Sequence, residues 1–489
     1  MMAIAVEQQQ KLLIGGEWVE AKSGRECEQT NPYSGDVVGH AAAASPEDVE
    51  LAVNAAADAF EAWGFGPPAA RREVLTKAAD LMHERAEQIA GVVTEETGGT
   101  FGWGMFNVQL ASGMMREAGA QAYSVVGEVI PSDIPGATAL ARRQPAGVVV
   151  GIAPWNAPVI LGTRAIATPL AFGNTMILKG SELCPRTHAQ IVQCVKDAGA
   201  PDGVINYLTN DPADASDVVE GLIAHPKTRR VNFTGSTPVG KIIAETCGRH
   251  LTRCLLELGG KAPMIVMADA DLDEAVNAAN FGAFMHSGQI CMATERIIVD
   301  SKVAGEFTDG LVAKASAMTV GDPNNPETMI GPLINKASLE HVTELVDDAV
   351  SKGAEVKTGG EAEGPCYKPT VLTNVTPEMR VYGEETFGPI VPVLEYSDVE
   401  EAIRTANDTN YGLAGAVFSR DIPTALDVAQ RIESGICHVN NSTVHDEPQM
   451  PFGGVKESGW GRFGGSAALE EFTDIHWTMV MGQPREYPI

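Results

Sequence analysis

Three residue types that act together on carbonyl carbons, a thiol, a carboxylate and a side-chain amide, each sit at the end of an apolar run in this sequence. Cys291 closes Gly288-Gln289-Ile290-Cys291 between a helical and a strand-like segment, so its thiol lies in a turn where a ligand can reach it. The plain alternative, for it as for Cys27, Cys184, Cys194, Cys247, Cys254, Cys366 and Cys437, is an inert buried thiol. Glu257 ends the apolar run Cys254–Leu258. A carboxylate there is either neutralised by an ion pair or cap, or raised in pKa by desolvation towards the range of a general base. Asn156 lies between Trp155 and Ala157-Pro158, where an N-cap is the ordinary role and a neutral donor to an oxyanion is the chemical one.

A second group of residues suits a nucleotide. Phe233-Thr234-Gly235-Ser236, followed by Gly240, ends one strand and opens a helix whose first amides are fit to hold a pyrophosphate. The spacing lacks the tight three-glycine fingerprint, so the motif alone is weak. Lys179 and Glu182 follow the strand ending at Leu178, where a ribose lies in a doubly wound sheet; a solvated loop pair is the alternative. Gly259 and Gly260 permit close approach of backbone to a flat ligand. No cysteine or histidine cluster has metal-ligand spacing, and the consecutive His445-Asp446-Glu447 point different ways, so no metal is expected.

The elements that must position these groups read as an α/β protein. Strands at 147–152, 175–178, 204–208 and 230–233 alternate with helices after Pro158, after Pro185, near 213–224 and at 239–246. This pattern gives βαβ units and a parallel, doubly wound sheet. The helix after Pro158 is expected to be amphipathic. A second α/β series follows with strands at 263–266 and 296–299 and helices at 271–284, 338–352 and 399–407. At 489 residues the chain exceeds one core, which implies two large domains. The net charge of −29 argues against nucleic acid and anionic lipid as partners. Residues 148–178 are apolar but interrupted by three prolines, two asparagines and Arg164, so they read as buried strand, turn and helix rather than a membrane span. Residues 1–10 lack a secretory pattern, and a cytoplasmic location follows by default.

The motifs Pro154-Trp155-Asn156, Phe233-Thr234-Gly235-Ser236, Glu257-Leu258-Gly259-Gly260-Lys261, Gly288-Gln289-Ile290-Cys291, Glu385-Thr386-Phe387-Gly388-Pro389 and Pro451-Phe452-Gly453-Gly454 resemble, in that order and over nearly the whole chain, the aldehyde dehydrogenase superfamily. The resemblance implies that Cys291 is the nucleophile, Glu257 the general base and Asn156 the oxyanion donor. It implies cofactor contacts at Ala153, Pro154, Trp155, Lys179, Glu182, Phe233, Gly235, Ser236, Val239, Gly240, Leu258, Gly259, Glu385 and Phe387. A Rossmann-like cofactor domain (1–122 and 146–259), a catalytic domain (260–458) and a β-arm with C-terminal segment (123–145 and 459–489) for a homodimer or homotetramer are also implied. Thiol attack on the aldehyde, loss of hydride to the nicotinamide and hydrolysis of a thioester would then yield a carboxylic acid. Glu182 would repel a 2′-phosphate, which favours NAD, with NADP left open by Lys179.

Ala157, Ile160 and Arg164 fall on one helical face and, with Ile290, are expected to border the substrate; an ion pair is the alternative role for Arg164. The segment 441–450 resembles bacterial benzaldehyde, vanillin and salicylaldehyde dehydrogenases, which points to an aromatic aldehyde. Aliphatic or semialdehyde substrates, acyl transfer to coenzyme A and a non-catalytic relative are the rival readings. Glu257 argues against coenzyme A, and the presence of Cys291, Glu257 and Asn156 together argues against a non-catalytic protein.

Overall fold

The computed structural model describes residues 9–485 and Tyr487; the start of the segment read at 1–10, and of the cofactor-domain range, lies outside the described residues. Five strands form the parallel centre of an eight-stranded sheet, in the spatial order Arg253–Glu257, Thr228–Thr234, Val148–Ile152, Thr175–Lys179 and Ile205–Leu208. The chain runs outward from Val148–Ile152 on one side, then returns to its other flank with Thr228–Thr234. The order therefore reverses between these two strands, and a crevice opens beyond their carboxyl ends. Antiparallel strands finish both edges: Leu12–Ile14 with Glu17–Val19 on one, Gly459–Trp460 on the other.

The second sheet has seven strands, in the order Glu355–Thr358, Thr370–Thr373, Ile390–Tyr396, Thr294–Asp300, Ala262–Val266, Ala414–Phe418 and Ile436–Val439. All neighbours are parallel except the first pair. A third, antiparallel sheet joins Gly127–Ile130, Ala137–Pro145 and Thr473–Met481, and exposes Val129, Ile475, Trp477 and Val480. Among the described residues, no helix is long and apolar enough to cross a membrane.

Two expectations change. The helix Pro158–Ala171 is buried on every side apart from partial exposure at Thr168, so it is not amphipathic. It passes between the first sheet and helix Phe101–Ala120, and both neighbours demand apolar faces. The segment after 458 does not belong wholly to an arm, because Gly459–Trp460 hydrogen-bonds to Arg253–Glu257 as a strand of the first sheet.

Candidate active site

Each candidate side chain stands where an element ends. Strand Val148–Ile152, β-branched at every position but Gly151 and with no exposed residue, stops before Ala153-Pro154-Trp155-Asn156, and Pro158 then opens the helix. Ala157 occupies the N-cap position without a side-chain bond, so Asn156 is not a cap. Its Nδ2 instead donates to the Gln289 carbonyl at 3.0 Å, and its own carbonyl accepts from Trp103 Nε1 at 3.1 Å.

Helix Leu272–Phe284 begins at Asp271, whose side chain accepts from the Glu274 amide, and carries Asp273 and Glu274 in its first turn. Beyond its end, His286, Ser287 and Gly288 all adopt positive φ, at 50°, 57° and 71°. A Cβ on Gly288 would collide with the Gly388 carbonyl, so only glycine fits there. Buried Gln289 pins this turn, accepting from the Ile334 amide at 3.0 Å through Oε1. Two non-glycine residues held in the left-handed region mark a site where the surroundings override local preference. Cys291 follows, partly exposed.

Glu257 is buried, and neither carboxylate oxygen has a hydrogen-bond partner. The ion-pair alternative therefore fails for it. Burial drives its pKa up to about 7, against a smaller opposing effect of the Arg164 guanidinium. The Cys291 thiol is pushed well up too, by burial first and by the Glu257 carboxylate second.

Two cavities meet at these residues. One, of about 280 Å³, is lined by Pro154, Trp155, Thr234–Ser236, Glu257–Gly259, His341, Glu385 and Phe387. The other, of about 530 Å³, is lined by Trp103, Phe106, Ala157, Ile160, Arg164, Phe281, Ile290, Phe418, Val444 and Phe452 among others. Asn156, Leu161 and Cys291 line both. The thiol and the amide thus face a glycine- and carboxylate-bearing pocket on one side and an aromatic pocket on the other.

The residues match a family of known chemistry. A family model described as Aldehyde dehydrogenase family matches residues 18–478. This chain is an aldehyde dehydrogenase family member. Similar relatives include a vanillin dehydrogenase of Pseudomonas fluorescens, 53% identical over 478 residues spanning 98% of this chain and 99% of the relative. A Pseudomonas putida protein named Benzaldehyde dehydrogenase [NAD(+)] is 40% identical, covering 97% of each chain. The crystal structure of a salicylaldehyde dehydrogenase from Pseudomonas putida G7 complexed with salicylaldehyde superposes with a TM-score of 0.97 at 44% identity, covering 98% of this chain and 100% of that one.

In this aldehyde dehydrogenase family member, the smaller cavity brings together most of the cofactor candidates. Glu385 lines it, its carboxylate accepting from the Gly260 amide at 2.9 Å, and burial raises its pKa to about 8. A side chain at Gly259 would run into that carboxylate. Trp155 meets Phe387 edge-on, with ring centroids 5.9 Å apart. Phe233 lies beneath Gly235, and Gly240 lies against the Leu258 side chain. Ala153, Lys179, Glu182, Phe233, Val239 and Gly240 stand outside the lining; Lys179 Nζ is 3.4 Å from Glu182 Oε2 at the end of its strand, and Lys179 is buried rather than solvated.

The larger cavity takes all four substrate candidates. Arg164 adopts the alternative role as well, forming a buried ion pair with Asp446 and stacking 4.0 Å above the Phe452 ring. Asp446 turns inward to Arg164, whereas His445 and Glu447 do not point apart as expected but bond to each other at 3.2 Å.

Several supporting residues escaped the reading of the sequence. Trp103, Phe106 and Leu110 line the aromatic cavity from one helix at i, i+3 and i+7, a spacing that reads equally well as core packing. Glu295 accepts from the Thr386 and Phe387 amides at 2.9 and 3.0 Å and pairs with Lys261 at 2.6 Å, fixing the loop that carries Glu385. Ser458, four residues after the Pro451-Phe452-Gly453-Gly454 motif, ties that stretch to the site by donating to the Gly259 carbonyl at 2.6 Å.

Proposed function

We propose that this chain oxidises aromatic aldehydes to carboxylic acids with NAD, using Cys291 as nucleophile, Glu257 as general base and Asn156 as oxyanion donor. One observation carries the reading: Cys291 and Asn156 stand on the shared wall of two cavities, one suited to a nucleotide ring and the other walled by Trp103, Phe106, Phe281, Phe418 and Phe452. The vanillin, benzaldehyde and salicylaldehyde dehydrogenases among the relatives support the substrate class.

The residues suit the cofactor. Ser236 leaves the first amides of helix Thr237–His250 without a side-chain cap, the setting in which an anion is held. The Glu182 carboxylate near Lys179 suits free ribose hydroxyls and repels a 2′-phosphate. When bound, the nicotinamide supplies the two-electron acceptor.

The chain's own groups provide the rest. Glu257 takes the thiol proton of Cys291, and the sulfur bonds to the carbonyl carbon. Asn156 Nδ2, with one N–H committed to Gln289, directs its other N–H to the oxygen that becomes charged. After oxidation the acyl group remains on Cys291 as a thioester. Glu257, having passed that first proton to solvent, then deprotonates a water that displaces the sulfur, and the proton it takes restores the thiol as the acid leaves. Overall, aldehyde, NAD⁺ and water give acid, NADH and a proton.

A panel of aromatic and short aliphatic aldehydes, assayed with NAD and with NADP in the absence of coenzyme A, tests this. Higher kcat/KM for benzaldehydes and for NAD is expected. Far better turnover of aliphatic aldehydes would remove the substrate assignment, and product formation only with coenzyme A would remove Glu257 as the water-activating base. The three-stranded sheet with its exposed Val129, Ile475 and Trp477 forms, in the same reading, the contact of a homodimer or homotetramer. Sedimentation of the purified protein as a monomer would exclude it.

A further inference from the structure

The larger cavity is deeper than one aromatic ring. Its inner end is fixed by Cys291 and Asn156, which it shares with the smaller cavity, and three helices lead away from that end. Helix Phe101–Ala120 starts there, with Trp103 bonded to the Asn156 carbonyl, and lines the cavity again at Leu110. Helix Pro158–Ala171 starts beside Asn156, and the cavity follows it from Ala157 to Arg164. Helix Leu272–Phe284 comes from the far side, lining the cavity from Glu274 to Phe281 before the turn that carries Cys291. Each stretch covers seven residue steps, ~10 Å of helix.

The second sheet gives the same direction. A Cβ at Gly260 would meet the Cys291 carbonyl, so strand Ala262–Val266 begins near the nucleophile. At its other end Val266 pairs with Phe418, and Val417 pairs with Val439, which carries Phe418, Asn440 and Asn441 to the outer end of the cavity. A single ring whose carbonyl carbon is held at Cys291 is shorter than these walls by about its own length. The volume, about 530 Å³, likewise falls in the range of sites for larger, drug-sized ligands. Leu110 and Phe418 make the outer half apolar, and the rings of Phe106 and Phe281 remain 40% and 43% exposed. Uncovered aromatic surface beside a ligand cavity favours another ring, packed offset or edge-on. The rim beyond, with Asn277, Asn440, Asn441 and Glu274 all exposed, is polar and suits solvent.

We propose that the outer half of this cavity is a second aryl subsite, and that the enzyme favours two-ring aldehydes in which an uncharged aryl group extends the benzaldehyde opposite its carbonyl. This rests on the aromatic reading above and adds biaryl aldehydes to it as a substrate class. The first ring lies against Trp103, Ile160 and Ile290, and the second against Leu110, Phe281 and Phe418. The chemistry at Cys291 is the same for both classes. Burial of the second ring supplies binding energy, remote from the reacting carbon, that a single-ring substrate lacks.

The test compares kcat/KM for benzaldehyde and for biphenyl-4-carbaldehyde in the wild-type enzyme and in two variants that add bulk to the outer half from different walls, Leu110→Trp and Asn277→Trp. The expected result is a wild-type preference for the biphenyl aldehyde of roughly tenfold or more, which collapses towards unity in at least one folded variant. Equal or poorer use of the biphenyl aldehyde by the wild type overturns the proposal, and that comparison holds even if neither variant folds. A preference unchanged in both folded variants overturns it too, because the second ring then lies elsewhere. Failure of the aromatic reading has a different signature, namely wild-type preference for hexanal over benzaldehyde.

Discussion

Asn156 and Gln289, 133 residues apart in sequence, are joined by a 3.0 Å hydrogen bond from the Asn156 amide nitrogen to the Gln289 carbonyl. The turn that presents Cys291 thereby also aims the proposed oxyanion donor, so thiol and amide move as one unit. Removing the amide in Asn156→Ala should lower kcat by roughly 10²–10³-fold, with a smaller effect on KM. Steady-state kinetics with a good aromatic substrate checks this; a kcat close to wild type would show that the oxyanion is held elsewhere.

Cys291→Ala should reduce acid formation by roughly four orders of magnitude or more, because no other thiol lines either cavity. Binding of NAD, followed by fluorescence titration, should survive. Turnover that persists in this variant would assign the nucleophile to another group.

Burial holds the Glu257 pKa at about 7, and the residue serves as a base only when ionised. Acid release should therefore be slow below pH 7, rise as the pH passes through that value and level off above it. Glu257→Gln should lose this limb and accumulate acyl-enzyme, visible by mass spectrometry of the intact protein. An unchanged pH profile in the variant would mean that another group activates the water.

Lys261 and Glu295 are both buried, and their 2.6 Å ion pair sits beneath the loop that carries Glu385 and Phe387. Glu295→Gln leaves a buried ammonium without its counter-charge, at a cost of about 3–5 kcal/mol. A lower melting temperature and a raised KM for NAD are expected together. An unchanged melting temperature would show that Lys261 finds another partner.

Much of this site was legible because its groups lie where apolar runs stop, and run ends are visible in a sequence. Cys291, Glu257 and Asn156 each follow such a run, and the fold brings them to adjoining cavities. Glu295 was not legible, since it lies within the wholly buried strand Thr294–Asp300, where its partners come from 34 and 91 residues away. Asp446 was read only as part of a polar triplet, because its inward turn depends on Arg164 across 282 residues. The helix Pro158–Ala171 departs from the amphipathic expectation because tertiary packing buries Thr163 and Arg164 along with its apolar residues. Strand order reverses where the alternation of strands and helices foretold a doubly wound sheet, as local periodicity is strong in that half.

Glu257 ends the last parallel strand of the first sheet, and Ala262 opens the second sheet after only four intervening residues. Hybrids of two related enzymes joined at this seam would inherit the amide, the carboxylate and most of the nucleotide pocket from one parent, and the sulfur with His341, Glu385 and Phe387 from the other. Their substrate range would be of mixed descent as well, with Trp103, Phe106 and Ile160 supplied by the first parent and Phe281, Phe418 and Asp446 by the second. A preference for a particular ring is thus a property that neither half can transmit alone.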